Sequence, residues 1–260
     1  MSAEPWNFEG DIRQLGNPSA SKKRSIHDDQ TARTLGFKGA FVPGSVVGTL
    51  AIPAILERYD EDWFKGGWYN FKFVSPVYTN DYVHVVAADT GAGEIEIRVV
   101  THDQRLCLTG RAGLGLKQPM QVSGGDDDVF PDAIIGQTFE DKTITVERAQ
   151  AQDMLDAARD TSPLWERLVP PEHWMGVALR MMDWKLIPLT DIQPPGMWAE
   201  HALIVKRPLG YGTWHLSEYL AAKGRSGRAN FVDCAFSIRD ESGEEVAVGR
   251  QKNKFIRSVV

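Results

Sequence analysis

One pattern constrains the fold more than any other feature of the 260 residues: a nearly all-apolar helical stretch followed by four short alternating runs occurs once in each half. In the first half, residues 45–58 (SVVGTLAIPAILER) are apolar almost all round, as expected of a helix buried in the middle of a domain. The period then changes to two over residues 68–74, 82–88, 94–101 and 106–113, which are rich in β-branched and aromatic side chains. Turn signals separate these runs at Thr79-Asn80-Asp81, Thr90-Gly91-Ala92-Gly93 and His102-Asp103-Gln104. Strands joined by connections this short pair antiparallel, because parallel neighbours need a crossover of a dozen or more residues. The class is therefore α+β, with a long central helix wrapped by an antiparallel sheet in each half.

The second half repeats the order. A strand at 143–146 and a helix at 149–159 precede a second apolar helix at 171–186, which opens on Pro171, and strands follow at 198–206, 213–221, 229–239 and 245–255. Two local echoes support a duplication: Phe73-Val74-Ser75-Pro76-Val77-Tyr78 matches Val205-Lys206-Arg207-Pro208-Leu209-Gly210, and Gly110-Arg111 matches Gly249-Arg250. Between the halves, Gly124-Gly125-Asp126-Asp127-Asp128 is polar, acidic and glycine-containing. It lacks the ligand spacing of an EF-hand and is read as a solvated linker. The expected organisation is an N-terminal unit at 1–123, a linker at 124–137 and a C-terminal unit at 138–260. Within the first central helix, Ser45 is the expected N-cap after the Pro43-Gly44 turn, and Pro53 predicts a bend.

Composition excludes several classes. With 35 acidic residues against 29 Lys and Arg, the net charge of −6 argues against a nucleic-acid partner and against long-range steering of polyanions. Cys107 and Cys234 sit in apolar stretches, so neither a disulfide framework nor a zinc site is expected. The first residues lack a basic and apolar leader, and nothing approaches the ~20 apolar residues of a membrane span, which makes the cytoplasm the expected location.

The segment from His27 to Gly44 (HDDQTARTLGFKGAFVPG) resembles the signature of type-2 enoyl-CoA hydratases and the wider MaoC-like family. That signature runs Asp-x-Asn-Pro-x-His, then Ala-x-x-x-Gly-Phe, then His-Gly at the entry to a central helix. The resemblance implies a tandem, or double, hotdog fold. It also implies acid–base work by the Asp and His, and an oxyanion contact from the backbone N–H at the last glycine, which Gly44 matches. The chain departs from the pattern at the dyad. Counting back from Gly36-Phe37, the histidine position falls on Ile26, or on His27 with one residue deleted, and the Asp position falls on Ser21 or Lys22. In the second half, Asp160-Thr161-Ser162-Pro163-Leu164-Trp165 keeps the Asp but has Ser for Asn and Trp for His, and an indole N–H only donates. Val169-Pro170-Pro171 then resembles the lead into the second central helix of double-hotdog proteins.

Each candidate has a structural alternative. His27 is either the acid–base group or a capping residue near a helix start, and Asp160 is either a second carboxyl group or a turn residue. Asp28 or Asp29 is placed to orient His27 only where the backbone departs from a helix, since helical neighbours point apart. Gly44, Ser45, Asp28 and Trp165 are expected to border the substrate. Lys22-Lys23-Arg24 either meets coenzyme A phosphates or is a solvated run. Trp63, Trp68, Trp174, Trp184 and Trp198 are read as core, and His173, His201 or His215 could stand in for the missing base.

The resulting expectation is a lyase-type enzyme of hydratase or dehydratase character. It would act on a small acyl, acyl-CoA or polyketide-like substrate by acid–base chemistry in the groove between the halves, with His27 and Asp160 as catalytic residues. Isomerisation, cyclisation or carbon–carbon cleavage on the same scaffold, or a non-catalytic binding subunit, are the alternatives. No metal or organic cofactor is expected, and edge-to-edge pairing of such sheets leaves a homodimer open.

Overall fold

The computed structural model describes residues 6–115, 129–182 and 196–256. Residues 124–128 of the expected linker, Trp184 and the end of the helix expected to reach 186 lie outside the described residues.

The first half contains β1 (Asn7–Glu9), β2 (Arg13–Gln14), α1 (Asp29–Thr34), α2 (Gly44–Thr49) and α3 (Ile52–Tyr59), then β3 (Gly67–Phe73), β4 (Tyr82–Asp89), β5 (Glu94–Thr101) and β6 (Leu106–Leu114). The second contains β7 (Lys142–Val146), α4 (Arg148–Ala158), α5 (Pro171–Met181), β8 (Gly196–Val205), β9 (Gly212–Ser226), β10 (Ala229–Arg239) and β11 (Glu245–Ile256). The two short N-terminal strands were not anticipated; three and two residues are too few to show a period.

Pro43, not Ser45, is the N-cap of α2. Its carbonyl accepts the N–H groups of Val46 and Val47 at 3.0 and 3.2 Å, so the first turn starts at Gly44 and Ser45 is already helical. At Pro53 the expected bend divides the central helix at Leu50 and Ala51. Pro53 has no N–H to offer the preceding turn, and Ala51 closes instead on the Gly48 carbonyl at 2.9 Å.

All strands join one antiparallel sheet, in the order β1-β4-β5-β6-β3-β8-β11-β10-β9-β7, with β2 also on β4. This order reads the same from either edge once each first-half strand is exchanged for its counterpart. The seam is β3 against β8, running from Gly67↔Val205 to Lys72↔Glu200. Both sequence echoes have a place in this symmetry. The Val42 N–H donates to the Val77 carbonyl at 2.8 Å and the Val169 N–H to the Leu209 carbonyl at 2.9 Å, so each proline-containing segment pins the entry of a central helix. Gly110 opposes Phe71 as Gly249 opposes Leu203. A β-carbon at Gly110 would lie 2.4 Å from the Asn70 carbonyl oxygen, and one at Gly249 2.1 Å from the Phe236 ring.

The helices bury their apolar sides against one face of this sheet in a core that includes Trp63, Trp174, Tyr69, Phe71 and Ile55. Within the stretch read as linker, Val129 and Ala133 are buried, and the Gly136 N–H donates to the Leu220 carbonyl of β9 at 2.8 Å. Among the described residues no helix is long and apolar enough to cross a membrane.

Candidate functional site

A cavity of about 870 Å³ opens where the two halves meet. The first half contributes the loop carrying Lys22, Arg24 and His27, the start of α2 at Gly44 and Ser45, and the end of β3 with the chain that follows it. From the second half come Gly176, Leu179 and Arg180 of α5, residues 196–199 of β8 and residues 253–255 of β11.

The local chain geometry explains this arrangement. Gly44 lets Trp198 and Phe73 close against the first turn of α2: a β-carbon there would lie 2.7 Å from a Trp198 ring carbon and 3.3 Å from Phe73. The first N–H groups of a helix have no internal acceptor. Those of Gly44 and Ser45 have no acceptor among the described residues either, and both residues line the cavity. His27 is held by its backbone, which donates to Ser25 Oγ at 3.2 Å and accepts from Asn17 Nδ2 at 3.0 Å. Its ring Nδ1 lies 2.9 Å from the Phe41 carbonyl oxygen. A carbonyl only accepts, so Nδ1 carries the proton and the Nε2 lone pair is left free. Burial holds the His27 pKa below its ordinary value; the Phe41 carbonyl opposes this and the Lys22 charge adds to it. The ring is therefore neutral and basic at neutral pH.

The structure brings together His27, Gly44 and Ser45, with Lys22 and Arg24 at the same cavity, and places Asp28, Asp160, Trp165 and the other candidate histidines elsewhere. The Asp28 carboxylate caps α1, accepting the Thr31 N–H at 3.0 Å and the Thr31 hydroxyl at 2.6 Å. Asp29 accepts from Arg33 Nε at 2.7 Å and from the Ala40 N–H at 3.2 Å. Asp160 does not line the cavity; its Oδ1 accepts the Ser162 N–H at 3.0 Å in a turn. Trp165 is buried edge-on to Phe64 at 6.5 Å, and its carbonyl accepts the Tyr211 hydroxyl at 2.8 Å.

None of the three substitute histidines lines the cavity. His215 meets the Thr143 hydroxyl at 3.1 Å, and His173 is buried in the first turn of α5, where loss of hydration and the Arg180 charge push its pKa down to about 4. His201 is wholly enclosed, its Nε2 3.1 Å from Glu172 Oε1. The rings of Tyr69, Phe71, Phe73 and Trp198 surround it at 5.7, 5.6, 5.1 and 5.0 Å. Glu172 holds the second helical position of α5, as Ser45 does in α2, but it is fully buried. The two ends of the molecule are thus alike in backbone and different in use.

Sequence patterns missed Arg180, Asn253 and Lys254 as cavity residues and gave Trp198 to the core. They sit at strand and helix ends without a motif, and only the β3–β8 seam carries them to His27. Among the described residues there is no group of three or more His, Cys, Asp or Glu side chains able to hold a metal ion.

No family model and no curated protein sequence matches this chain. Solved structures do. A protein assigned as a MaoC-domain dehydratase from Chloroflexus aurantiacus aligns over 97% of this chain and 95% of its own, with a TM-score of 0.66 at 12% identity. A conserved hypothetical protein of Mycobacterium tuberculosis, described as having a double hotdog fold, aligns over 97% of each chain with a TM-score of 0.61 at 15% identity. A protein assigned as an oleoyl thioesterase from Lactobacillus plantarum covers 98% of this chain and 99% of its own, with a TM-score of 0.58 at 10% identity. Identities this low speak for architecture, and the architecture is a double hotdog shared with MaoC-like dehydratases.

Proposed function

We propose that this protein is an enzyme that performs acid–base chemistry on a small acyl thioester, of the hydratase or dehydratase type, in the cavity between its two halves. The supporting observation is His27, whose Nδ1 meets the Phe41 carbonyl and which lines a cavity that Gly44 and Ser45, in the first turn of α2, also line. In the hydration direction, Nε2 takes a proton from water as the oxygen adds to the β-carbon of an enoyl thioester. Negative charge then develops on the thioester oxygen, where the Gly44 and Ser45 N–H groups would donate to it. Protonated His27 then gives that proton to the α-carbon, which discharges the enolate and yields the β-hydroxyacyl thioester; in the reverse direction neutral His27 takes the α-proton and passes it to the departing hydroxyl, which leaves as water. Among the described residues no carboxylate lines the cavity, and Asp160 stands outside it. His27 therefore acts without the usual acidic partner.

The test is turnover of trans-2-enoyl-CoA thioesters of several chain lengths, followed by loss of the enoyl absorbance, alongside saturated acyl-CoA thioesters followed by thiol release. Hydration of at least one enoyl thioester without thiol release is expected. Thiol release alone would make the protein a thioesterase, and silence in both assays would sink the assignment.

A further inference from the structure

The cavity differs sharply in charge from the rest of the molecule. The chain carries 35 acidic residues and a net charge of −6, yet among the described residues no Asp or Glu lines the cavity, while Lys22, Arg24, Arg180 and Lys254 do. Several cations elsewhere are matched: Arg58 pairs with Asp89, Arg105 with Asp81, Arg167 with Glu61, Arg207 with Asp240 and Arg250 with Asp233. The four cavity cations have no side-chain hydrogen bond or ion pair with any described residue. Lys22, Arg24 and Arg180 are exposed at the cavity and Lys254 is half-buried, and like charges gathered around one concave space repel. An anion relieves that repulsion.

Arg180 is the best shaped of the four for this task. Its side chain folds back along α5, as helical side chains do, so that Nη1 lies 3.2 Å from where a β-carbon of Gly176 would be. Gly176 itself lines the cavity, so the absence of a side chain there leaves room for the guanidinium against the helix. A guanidinium so placed offers a planar pair of donors, the geometry that matches phosphate and carboxylate oxygens.

We infer that the cavity takes a ligand carrying an anionic group, a phosphate or a carboxylate, held by Arg180 and Lys254 from the second half and by Lys22 and Arg24 from the first. This names the substrate class of the site proposed above and rests on that site's being the binding cavity. Two sources supply such a group: the phosphates of a nucleotide-bearing thiol carrier, or a carboxylate at the far end of the acyl chain.

Unreactive thioethers separate the sources, because their binding does not depend on turnover. The probes are S-butylpantetheine, which has no anion, S-butyl-coenzyme A, which has carrier phosphates, and S-(3-carboxypropyl)pantetheine, which has a terminal carboxylate. Calorimetric titration of the intact protein at low ionic strength should show at least one anionic probe binding about tenfold or more tightly than S-butylpantetheine, as expected for a charge-assisted contact. The gap should shrink on adding salt and again in Arg180→Gln or Lys22→Gln/Arg24→Gln. A gain confined to the coenzyme A probe assigns the carrier, and a gain with the carboxypropyl probe assigns the acyl end. Equal affinity for all three, no binding of either anionic probe, or a gap insensitive both to salt and to these substitutions would overturn the inference. The salt series on the unaltered protein keeps the test decisive if a variant misfolds. Failure of the enoyl assays with anion binding intact would refute the proposed chemistry and leave this inference standing.

Discussion

In the proposed reaction His27 bears most of the chemical weight, and a proton placed on Nδ1 makes its expected behaviour with pH definite. Only the neutral ring can accept a proton, so hydration should fall as pH drops through its depressed pKa, on the acidic side of the ordinary histidine value. His27→Gln should lower turnover about 10²-fold or more while leaving thermal stability nearly unchanged, since general acid–base groups contribute roughly 10²–10⁴-fold. Full activity in both His27→Gln and Asp160→Ala would show that neither residue is catalytic. A different titration governs stability. Burial pushes the Glu218 carboxyl up to about 8, with Lys142 opposing, and its Oε1 has no partner. Unfolded, this group loses its proton near 4.5. The native state therefore holds one proton more than the unfolded state between these values, and stability declines as pH rises through that window. Glu218→Gln should raise the melting temperature at pH 8 and change it little at pH 4. At this scale the positions of Gly44 and His27 at the cavity were legible because a helix entry and a lone histidine are local features. For Asp160 the turn and the active-site readings stayed side by side, and the cap at Asp28 was not read, because an N-cap and a turn acid look the same in sequence as an acid of an active site.

Elements are tied together by buried polar contacts that no local pattern announces. Glu172 on α5 and His201 on β8 meet with both side chains inaccessible, and a β-carbon at Gly48 of α2 would lie 2.4 Å from Glu172 Oε2. Three elements therefore converge on one carboxylate. His201→Leu should destabilise the protein by about 3 kcal/mol in denaturant titration, because it strands the Glu172 group in the core. The double variant Glu172→Leu/His201→Leu should recover part of that loss, and additivity of the two single effects would deny any coupling. Gly48→Ala should be poorly tolerated for the same steric reason. The strands themselves were well anticipated: residues 94–101 and 229–239 match β5 and β10 end for end, since half-buried strands print a period of two. The bend at Pro53 was equally plain, whereas the cap at Pro43 was missed because Ser45 has the better capping side chain and the backbone closes one residue pair earlier.

For the whole molecule, one sheet and one principal core run through both halves, so neither half presents a complete surface to water. Chemical denaturation followed by tryptophan fluorescence and by circular dichroism should give coincident single transitions. Two separated transitions would mean that the seam between β3 and β8 is weaker than the halves it joins. Repetition of the helix-and-meander order made this plan readable in advance. The location of the cavity on that plan was less so, because Arg180 and Lys254 reach His27 only after the seam has formed.

The mirrored strand order carries an evolutionary consequence. In an assembly of two identical short chains, every substitution appears at both ends, so a change that improves one groove also alters the other. Here corresponding positions are encoded separately. Ser45 stands open to the cavity while its counterpart Glu172 is locked against His201. With the two ends encoded separately, one can carry His27 and cationic walls while the opposite one packs Glu172 against His201.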